Sequence, residues 1–351
     1  MAEALWAGID LGRSAVKVVA RQGQQKAGLM FPSAVVRAKQ VVFDQLRAKA
    51  ADDTVELGTE TYWTGDTALM QNWTAEATGR EDDWVAKPAH DVLIRSAMDR
   101  LARAGMKVDG PAFVTIGVPS RVFRERRDLV RVVHANTVAV LGKQAEVFVQ
   151  PQPFGVIANY TLDEEGFNAP GKAMDRDSYV VVEVGQFTTD FAAVVKGQPV
   201  IDATASTDGL ELVVNHIRSR LRDRDIEIGN LDMQTLMVER NLRIRGQSVD
   251  LGPFIEEGIH DVLMPKIMEA FRATFPPVLL QTADKVLVAG GGAPIVIEGL
   301  HRFKQAEHAE MLSEPRMAVA DGFARLSALM ANSSPAATVT KSKSKAIATE
   351  S

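Results

Sequence analysis

Short runs of apolar residues rich in β-branched side chains recur along the chain, and several end at a glycine or a proline. Runs of this length and composition predict strands. The predicted strands are Leu5–Leu11, Val16–Ala20, Ala112–Val118, Val147–Val149, Tyr179–Val184, Phe191–Val195 and Lys285–Ala289. The first expectation is therefore of sheets built from short, apolar strands.

Between these strands lie segments whose apolar residues recur with the helical period. In Asp208–Leu221 the apolar positions follow a 3.6-residue spacing, and the intervening arginines point outward. Asp91–Arg103 and Phe254–Phe275 have similar faces, and Pro265 is expected to kink or split the second of them. The alternation of strands and helices indicates an α/β class with largely covered sheets.

Length and composition limit the architecture. The 351 residues are 46% hydrophobic, and a single core rarely grows beyond about 250–300 residues. We therefore expect two domains. The formal net charge is −5, which gives no overall positive field to hold phosphates, so the body is not expected to bind nucleic acid directly.

Cysteine is absent, which excludes disulfides, thiolate zinc sites and cysteine nucleophiles. The first residues lack the basic and apolar segments of a signal peptide, and no run approaches the roughly 20 apolar residues of a membrane span. We therefore expect a cytoplasmic protein without a membrane partner. After about residue 330 small polar residues and lysines predominate, and this composition predicts a disordered tail.

Two segments of the chain share one pattern. Asp10–Lys17 and Glu183–Asp190 each begin with an acidic residue and have glycine two positions later. Each then has a hydroxyl four or five positions after the acidic residue and ends on a charged residue. Both predict a strand, a glycine turn with hydroxyls and a second strand. The repeat indicates two domains of the same design that face each other.

The two hairpins supply the groups that bind a triphosphate. Such binding needs closely approaching amides, hydroxyl donors, a cation and carboxylates that hold the waters of Mg²⁺. The first hairpin offers Gly12 for the turn, Ser14 as a donor, Lys17 as the cation and Asp10 for the metal water. The second offers Gly185, Thr188 and Thr189 for the phosphates, with Glu183 and Asp190 near the metal. The alternative is two ordinary β-turns, in which glycine and the hydroxyls serve only the turn.

A third element is the segment Val286–Pro294, in which an apolar strand runs into three glycines and a helix start. Such a junction leaves unpaired amides at a helix N-terminus and room for a flat base or sugar. The sequence contains neither the Rossmann glycine spacing nor a P-loop. A flexible glycine loop is the alternative interpretation.

The order of these elements resembles the actin, Hsp70 and sugar kinase superfamily, and within it the plasmid-segregation actins of the ParM and StbA type. The segments that carry the resemblance are Gly8–Lys17, Phe31–Ser33, Trp63–Asp66, Gly117–Ser120, Pro151–Tyr160, Glu183–Asp190, Gly290–Pro294 and Ala318–Phe323. Together they extend over nearly all of the chain from residue 5 to about residue 330. Their order and spacing are more specific than any one of them.

The resemblance implies an α/β fold of two RNase H-like, actin-like ATPase domains with a nucleotide cleft between them. Domain I would comprise residues 1–163, completed by a helix at 316–331. Domain II would comprise residues 164–315, and residues 332–351 would form the disordered tail. ATP and Mg²⁺ are the implied cofactors.

The resemblance also assigns roles within the cleft. The implied nucleotide-binding residues are Gly12, Arg13, Ser14, Lys17, Gly185, Gln186, Thr188, Asp208, Gly209, Gly290, Gly291 and Gly292. Gln152, Asp10 and Glu183 would be catalytic, and Asp10, Glu183 and Asp190 would hold the metal. Three positions depart from the ParM-like pattern, which has aspartate in place of Glu183, a second glycine in place of Gln186 and glutamate in place of Gln152. Hydrolysis could therefore differ while binding survives.

The implied function is ATP hydrolysis coupled to self-assembly into filaments, which would segregate plasmid DNA through a DNA-binding adaptor protein. A monomeric small-molecule kinase of the same superfold and a non-polymerising actin relative are the alternatives. A chaperone of the Hsp70 kind is less favoured, because the tail after Met330 offers no peptide-binding domain.

Overall fold

The first of two large sheets is built from residues in the first half of the chain. The computed structural model describes residues 3–39, 48, 50–71, 82–227 and 239–333. The strands of this part are β1 (Leu5–Leu11), β2 (Ala15–Gln22), β3 (Gln25–Pro32), β4 (Val35–Arg37), β5 (Thr54–Leu57), β6 (Glu60–Thr64), β7 (Ala112–Val118) and β8 (Ala145–Pro151). The large sheet has the order β3, β2, β1, β7, β8, and β4 to β6 form a separate small sheet.

Helices cover both faces of this first sheet. They are α1 (Gly65–Gln71), α2 (Pro88–Arg103), α3 (Ser120–Glu125), α4 (Arg127–Leu141) and α5 (Gln152–Thr161). Strands β1, β2 and β3 form an antiparallel meander, whereas β7 and β8 lie parallel to β1. The parallel strands need helical crossovers, which α2 and α4 provide.

The second sheet repeats this design. Its part of the chain contains β9 (Tyr179–Val184), β10 (Thr188–Val195), β11 (Gln198–Pro199), β12 (Ala205–Asp208), β13 (Asn241–Ile244), β14 (Gln247–Asp250), β15 (Lys285–Ala289) and β16 (Glu310–Met311). The order is β11, β10, β9, β15, β16, with β12 paired to β10, while β13 and β14 form a two-stranded ribbon. The antiparallel β9, β10 and β11 are again followed by parallel strands.

The helices of the second part are α6 (Glu211–Arg222), α7 (Gly252–Glu257), α8 (Met264–Thr274), α9 (Pro277–Thr282), α10 (Ala293–His301) and α11 (Ala318–Ser333). One hydrophobic core joins the second sheet to α6 and α8, and another joins the first sheet to α2 and α4. These two cores and the repeated sheet design confirm the expected α/β fold of two similar units.

The strand predictions agree with the structure most closely at buried strands. The predicted bounds of β1, β7, β9 and β15 match those observed, because all four strands are almost entirely buried and are therefore mainly apolar in sequence. The segment around Pro265 forms three joined helical pieces. A π-helical turn at Gly258–Leu263 precedes α8, and its wider spacing accommodates the ring and missing amide of Pro265.

Helices α5 and α11 lie between the two large sheets. Helix α11 packs on β1, β2 and β7, whereas α5 packs on β9 and on α11. Glycines let the two helices touch through their backbones, since a Cβ at Gly322 would lie 1.7 Å from the carbonyl oxygen of Gly155. Gly8 allows α11 an equally close approach to β1.

Charged groups surround this helix contact. Asp321 on α11 accepts hydrogen bonds from Arg21 on β2 at 2.7 Å and from Asn159 on α5 at 2.8 Å. Arg325, one turn further along α11, donates to Asp321 at 2.8 Å. The buried carboxylate therefore links α11 to one element of the first sheet and to α5.

The proposed domain bounds at residues 163 and 315 remain a prediction. Helix α11 extends to Ser333, so residues 332–333 continue the helix that was expected to end at residue 331. The remainder of the predicted disordered tail, residues 334–351, lies outside the described residues. Within the described ranges, none of the helices combines the length and apolar character that a membrane crossing requires.

Gly322→Ala should destabilise the protein although alanine is the better helix former. The new methyl group would overlap the backbone of α5, and overpacking of this kind costs about 1–3 kcal/mol or more. Chemical denaturation should show the loss. The control is Gly28→Ala, because no atom lies within 4 Å of a Cβ built at Gly28. Equal stability of the two variants would show that the helices separate without cost.

Candidate nucleotide-binding cleft

The first hairpin places three polar side chains in contact at the end of β1. Lys17 Nζ lies 2.7 Å from Asp10 Oδ2, because the β1–β2 register sets the two residues opposite each other. Gln152, the first residue of α5, donates from Nε2 to Asp10 Oδ1 at 2.9 Å. Asp10 and Gln152 are both buried. The strand end, its hairpin partner and the start of α5 therefore converge on one carboxylate.

Lys17 connects the two hairpins electrostatically. Burial alone would lower the pKa of Lys17, but the negative charges of Asp10 and Glu183 offset that effect and raise it. Glu183 stands in the second hairpin at the position equivalent to Asp10. The ends of β1 and β9 are therefore close enough for Lys17 to interact with a carboxylate of each hairpin.

Glu183 is buried and directly opposite Asp190 in the β9–β10 register. Burial raises the pKa of Glu183 to about 8, with Lys17 opposing the shift and Asp10 and Asp190 adding to it. The carboxyl is therefore largely protonated at neutral pH in the ligand-free cleft. It would ionise when a further cation enters the cleft.

Asp190 is fully buried and held by two hydroxyl groups. Thr188 Oγ1 donates to it at 2.9 Å, and Ser206 Oγ donates to its other oxygen. Burial raises the pKa of Asp190, and these hydrogen bonds, together with the charge of Arg13, oppose the shift. Asp190 is thus stabilised by hydroxyl groups from β10 and β12 and by the positive charge of Arg13 at the tip of the first hairpin.

The turn of the second hairpin is fixed by the start of α6. The amides of Gly209 and Leu210 donate to the carbonyl oxygens of Phe187 and Gly185, at 3.0 and 3.2 Å. A Cβ on Gly209 would lie 2.5 Å from the Gly185 oxygen, so this close contact requires glycine. The contact of Asp208 and Gly209 with ribose remains a prediction. Both residues do contact the second hairpin, since Asp208 pairs with Thr188 and the amide of Gly209 donates to Phe187.

Gln186 does not block the turn, although the family pattern has glycine there. Its Nε2 donates to Glu211 Oε2 on α6 at 3.0 Å, which fixes the side chain toward that helix. Within the described chain, the amides of Gln186 and Phe187 donate no hydrogen bond to a backbone oxygen. Two adjacent amides are thus available to an anion at the turn.

The three glycines at residues 290–292 pack against the end of β9. Gly290 has φ +89°, and a Cβ there would lie 2.7 Å from Glu183 Oε1. The amide of Gly290 donates to the carbonyl oxygen of Pro315 at 2.7 Å, and the amide of Gly292 donates to the carbonyl oxygen of Val184 at 2.9 Å. The expectation of several unpaired amides here is therefore wrong for these two, because strand β9 and the segment before α11 already use them. Gly291 lies between them, just before α10.

The expected metal residues do not form a ligand cage by themselves. In the described part of the chain, no three carboxylate or histidine side chains stand close enough to hold a metal ion together. Asp10, Glu183 and Asp190 are close enough to influence one another's charge. This arrangement fits Mg²⁺, which commonly retains waters and binds to proteins through one or two carboxylates and a ligand phosphate.

Three residues near the cleft were given no role from the sequence. Ser33 holds the first turn, since its Oγ donates to the carbonyl oxygen of Gly12 and its amide to Ser14 at 3.0 Å. Arg316, just before α11, is near enough to lower the pKa of Lys17. Glu211 anchors Gln186. Only the Phe31–Ser33 segment carried a sequence signal, since it resembled a family landmark.

Glu183→Gln should change the pH dependence of stability in the ligand-free protein. The pKa of Glu183 rises from 4.5 to about 8 on folding, so between these values the folded state holds a proton that the unfolded state has lost. The free energy of unfolding should therefore fall as pH rises from about 5 to 8, by up to about 1.4 kcal/mol per pH unit. Glu183→Gln should flatten that slope in denaturant titrations.

The control for this pH series is Glu56→Gln, which removes an exposed carboxylate on β5. It should leave the slope as it is in the native protein. A native protein whose stability is constant between pH 5 and 8 would contradict a protonated Glu183.

Comparison with known proteins agrees with this geometry. Residues 8–155 match the family model of actin-like protein N-terminal domains, and no curated protein sequence matches the chain. A 15-stranded ParM filament from Clostridium botulinum is 16% identical with a TM-score of 0.71, covering 93% of this chain and 99% of that chain. The apo ParM protein of pSK41 is 17% identical with a TM-score of 0.65, covering 94% and 99%.

A third similar structure is an archaeal actin homologue in complex with ADP. It is 17% identical with a TM-score of 0.66 and covers 90% of this chain and 97% of that chain. Identities this low establish a shared fold rather than a shared activity. The chain therefore has the fold of actin-like proteins, and its residues 8–155 are similar to the N-terminal domains of those proteins.

Proposed function

We propose that this protein is an ATPase that binds Mg-ATP in the cleft between its two sheets and couples hydrolysis to assembly into filaments. The observation that carries the proposal is the convergence of Asp10, Lys17 and Gln152 with Glu183 and Asp190. Four of these side chains come from two hairpins of matching design, and Gln152 begins helix α5. An ADP complex of an archaeal actin homologue with this fold supports a nucleotide as the ligand.

The groups in the cleft suit a triphosphate. Lys17 supplies a cation, and Gly12 and Gly185 permit tight turns. The amides of Gln186 and Phe187 could donate hydrogen bonds to a phosphate at the second turn. Asp10 and Glu183 are the carboxylates available to metal-bound waters. Bound Mg²⁺ would neutralise part of the negative charge of the phosphates. Adenine and ribose would lie near Gly291 and the Asp208–Gly209 turn.

Gln152 is the side chain best placed to orient an attacking water. Its Nε2 is anchored on Asp10, which fixes the amide plane and leaves Oε1 to accept a hydrogen from water. Asp10 holds both Gln152 and Lys17, so it sets the position of the water-orienting group relative to the cation. Positioning and charge stabilisation of this kind account for most of the catalysis in phosphoryl transfer.

Hydrolysis would control the relative position of the two domains. A terminal phosphate held by both hairpins connects one sheet to the other, and its loss removes that connection. Filament assembly would then depend on the bound nucleotide. Head-to-tail contacts form open polymers, and a critical concentration near 1 μM needs only about −8 kcal/mol for each added subunit.

The partner of such a filament would be a second copy of this chain and an adaptor protein that binds plasmid DNA. The ParM filament from Clostridium botulinum supports self-assembly of this fold. The net charge of −5 favours an adaptor over direct contact between filament and DNA. Plasmid segregation is the cellular role that we propose on this basis.

Gln152→Ala should lower ATP turnover by about 100-fold, the typical loss when one preorganised polar group is removed. Affinity for ATP should change only a few-fold, because Lys17 and the hairpin turns stay in place. Phosphate release and binding of a fluorescent nucleotide would measure the two effects. Gln150→Ala on β8 is the matched control. Unchanged turnover in Gln152→Ala would exclude the proposed role.

Asp10→Ala should abolish nucleotide-dependent assembly, because it leaves the buried Lys17 without its nearest carboxylate and releases Gln152. Sedimentation with Mg-ATP, with Mg-ADP and without nucleotide should give native pellets only with the triphosphate. Asp10→Asn, which preserves the shape of the side chain, separates loss of charge from loss of folding. A native protein that stays soluble in all three conditions and phosphorylates a small molecule would favour a kinase instead.

A further inference from the structure

An apolar pocket lies where α5, the loop after α5 and the last turns of α11 meet. Its volume is about 430 Å³, within the usual range for ligand pockets. Its apolar walls include Phe154, Ile157, Leu162, Phe167, Met174 and Leu329. We call it the α5–α11 pocket. None of its lining residues belongs to the nucleotide cleft, so it is a separate feature of the fold.

Phe167 leaves part of this apolar surface uncovered. It is 52% exposed, although the loop that carries it is fixed by hydrogen bonds. The amides of Glu165 and Phe167 both donate to Asp163 Oδ1, at 3.0 and 2.8 Å. A segment that covered the ring and the pocket beside it would remove apolar area from water, which is favourable.

The end of α11 is attached to the same loop. Asn332 Nδ2 donates to the carbonyl oxygen of Glu165 at 2.7 Å. Gly166 lies so close to α11 that a Cβ there would be 2.3 Å from the amide nitrogen of Leu329. Helix α11 ends at Ser333, one turn after Leu329. The residues that follow Ser333 therefore leave the helix beside the pocket.

The next residues, 334–351, lie outside the described residues, but their sequence fits the pocket. Val339 is an apolar, β-branched residue among alanines and threonines. It follows Ser333 by six positions. Six residues span up to about 20 Å, which is enough to bring Val339 back over the pocket.

The rim of the pocket is acidic. Asp175 lines it with a side chain that is 76% exposed, and this carboxylate pairs only loosely, with Arg176 at 3.8 Å. Glu165, next to the lining residue Gly166, is also exposed and forms no ion pair with the described residues. Two carboxylates at the rim are therefore available to cations of another segment.

The lysines after α11 match this rim. Lys341, Lys343 and Lys345 alternate with serines. In an extended chain, residues two positions apart face the same side, so these lysines share a side with Val339. One orientation of the segment thus brings an apolar side chain to the pocket and positive charges to its rim.

We propose that residues 336–345 dock on the α5–α11 pocket of their own chain, with Val339 in the apolar interior and the three lysines along the acidic rim. Weak contacts suffice, because a segment on a short connection acts at an effective concentration of about millimolar. Any segment of another protein that uses the pocket must first displace this one. The inference goes beyond the proposed ATPase function and does not depend on it.

Cross-linking tests the docking directly, since the native chain has no cysteine. Asp175→Cys combined with Val339→Cys places one thiol at the rim and one in the docking segment. Under mild oxidation this pocket pair should form a disulfide within one chain at least tenfold faster than a control pair, Lys26→Cys with Val339→Cys. Lys26 is matched because its Nζ lies 2.6 Å from Glu164 on the same loop, yet it does not line the pocket.

Charge reversal tests the role of the rim. Lys341→Glu, Lys343→Glu and Lys345→Glu together should slow disulfide formation in the pocket pair at least fivefold relative to the control pair with the same substitutions. That comparison corrects for the effect of neighbouring charges on thiol reactivity. Salt at about 1 M, where the Debye length is about 3 Å, should slow the unreversed pocket pair in the same direction.

Non-reducing gel electrophoresis separates the products within one chain from those between chains. Equal rates in the pocket and control pairs would overturn the proposal. Cross-links that form mainly between chains would also overturn it, because they assign the pocket to a second copy. Phe167→Cys provides another pocket thiol at an exposed residue if Asp175→Cys fails to fold.

Discussion

The ion pair between the half-buried Lys17 and the buried Asp10 is the interaction on which the cleft depends. A cation removed from water is costly unless carboxylates and hydrogen bonds compensate for it. Asp10 does so directly at 2.7 Å, and Glu183 in the second hairpin adds a negative charge when it ionises. The same charge explains why three buried acidic side chains can lie near one another in an otherwise apolar region. Removal of Asp10 would leave Lys17 without its nearest carboxylate.

The rest of the fold can be understood as support for that arrangement. Strands β1 and β9 carry Asp10 and Glu183 at their ends, and their hairpin registers place Lys17 and Asp190 opposite them. Helix α5 begins at Gln152, so the residue that contacts Asp10 also begins the helix between the sheets. Helix α5 therefore contributes both a polar side chain to the cleft and part of the contact between the two halves.

Much of this architecture could be predicted from the sequence. The four nearly fully buried strands were placed correctly because apolar runs bounded by glycine leave few other interpretations, and the repeat of Asp10–Lys17 in Glu183–Asp190 revealed the symmetry of the cleft. The contacts of Gln186 and Arg316 could not be predicted, since they depend on where distant elements meet. The bonded amides of Gly290 and Gly292 were missed for a related reason: sequence shows that a glycine is present, but not which strand occupies the space above it.

The glycine contact between α5 and α11 has a mechanical consequence. Since Gly155 and Gly322 meet without side chains, this point offers little freedom to slide, because any translation drives one backbone into the other. Rotation of one helix against the other about this contact would disturb the contact least. The displacement of an atom in such a rotation grows with its distance from the rotation axis. A small rotation at the helix crossing would therefore change the width of the cleft while leaving the crossing in place.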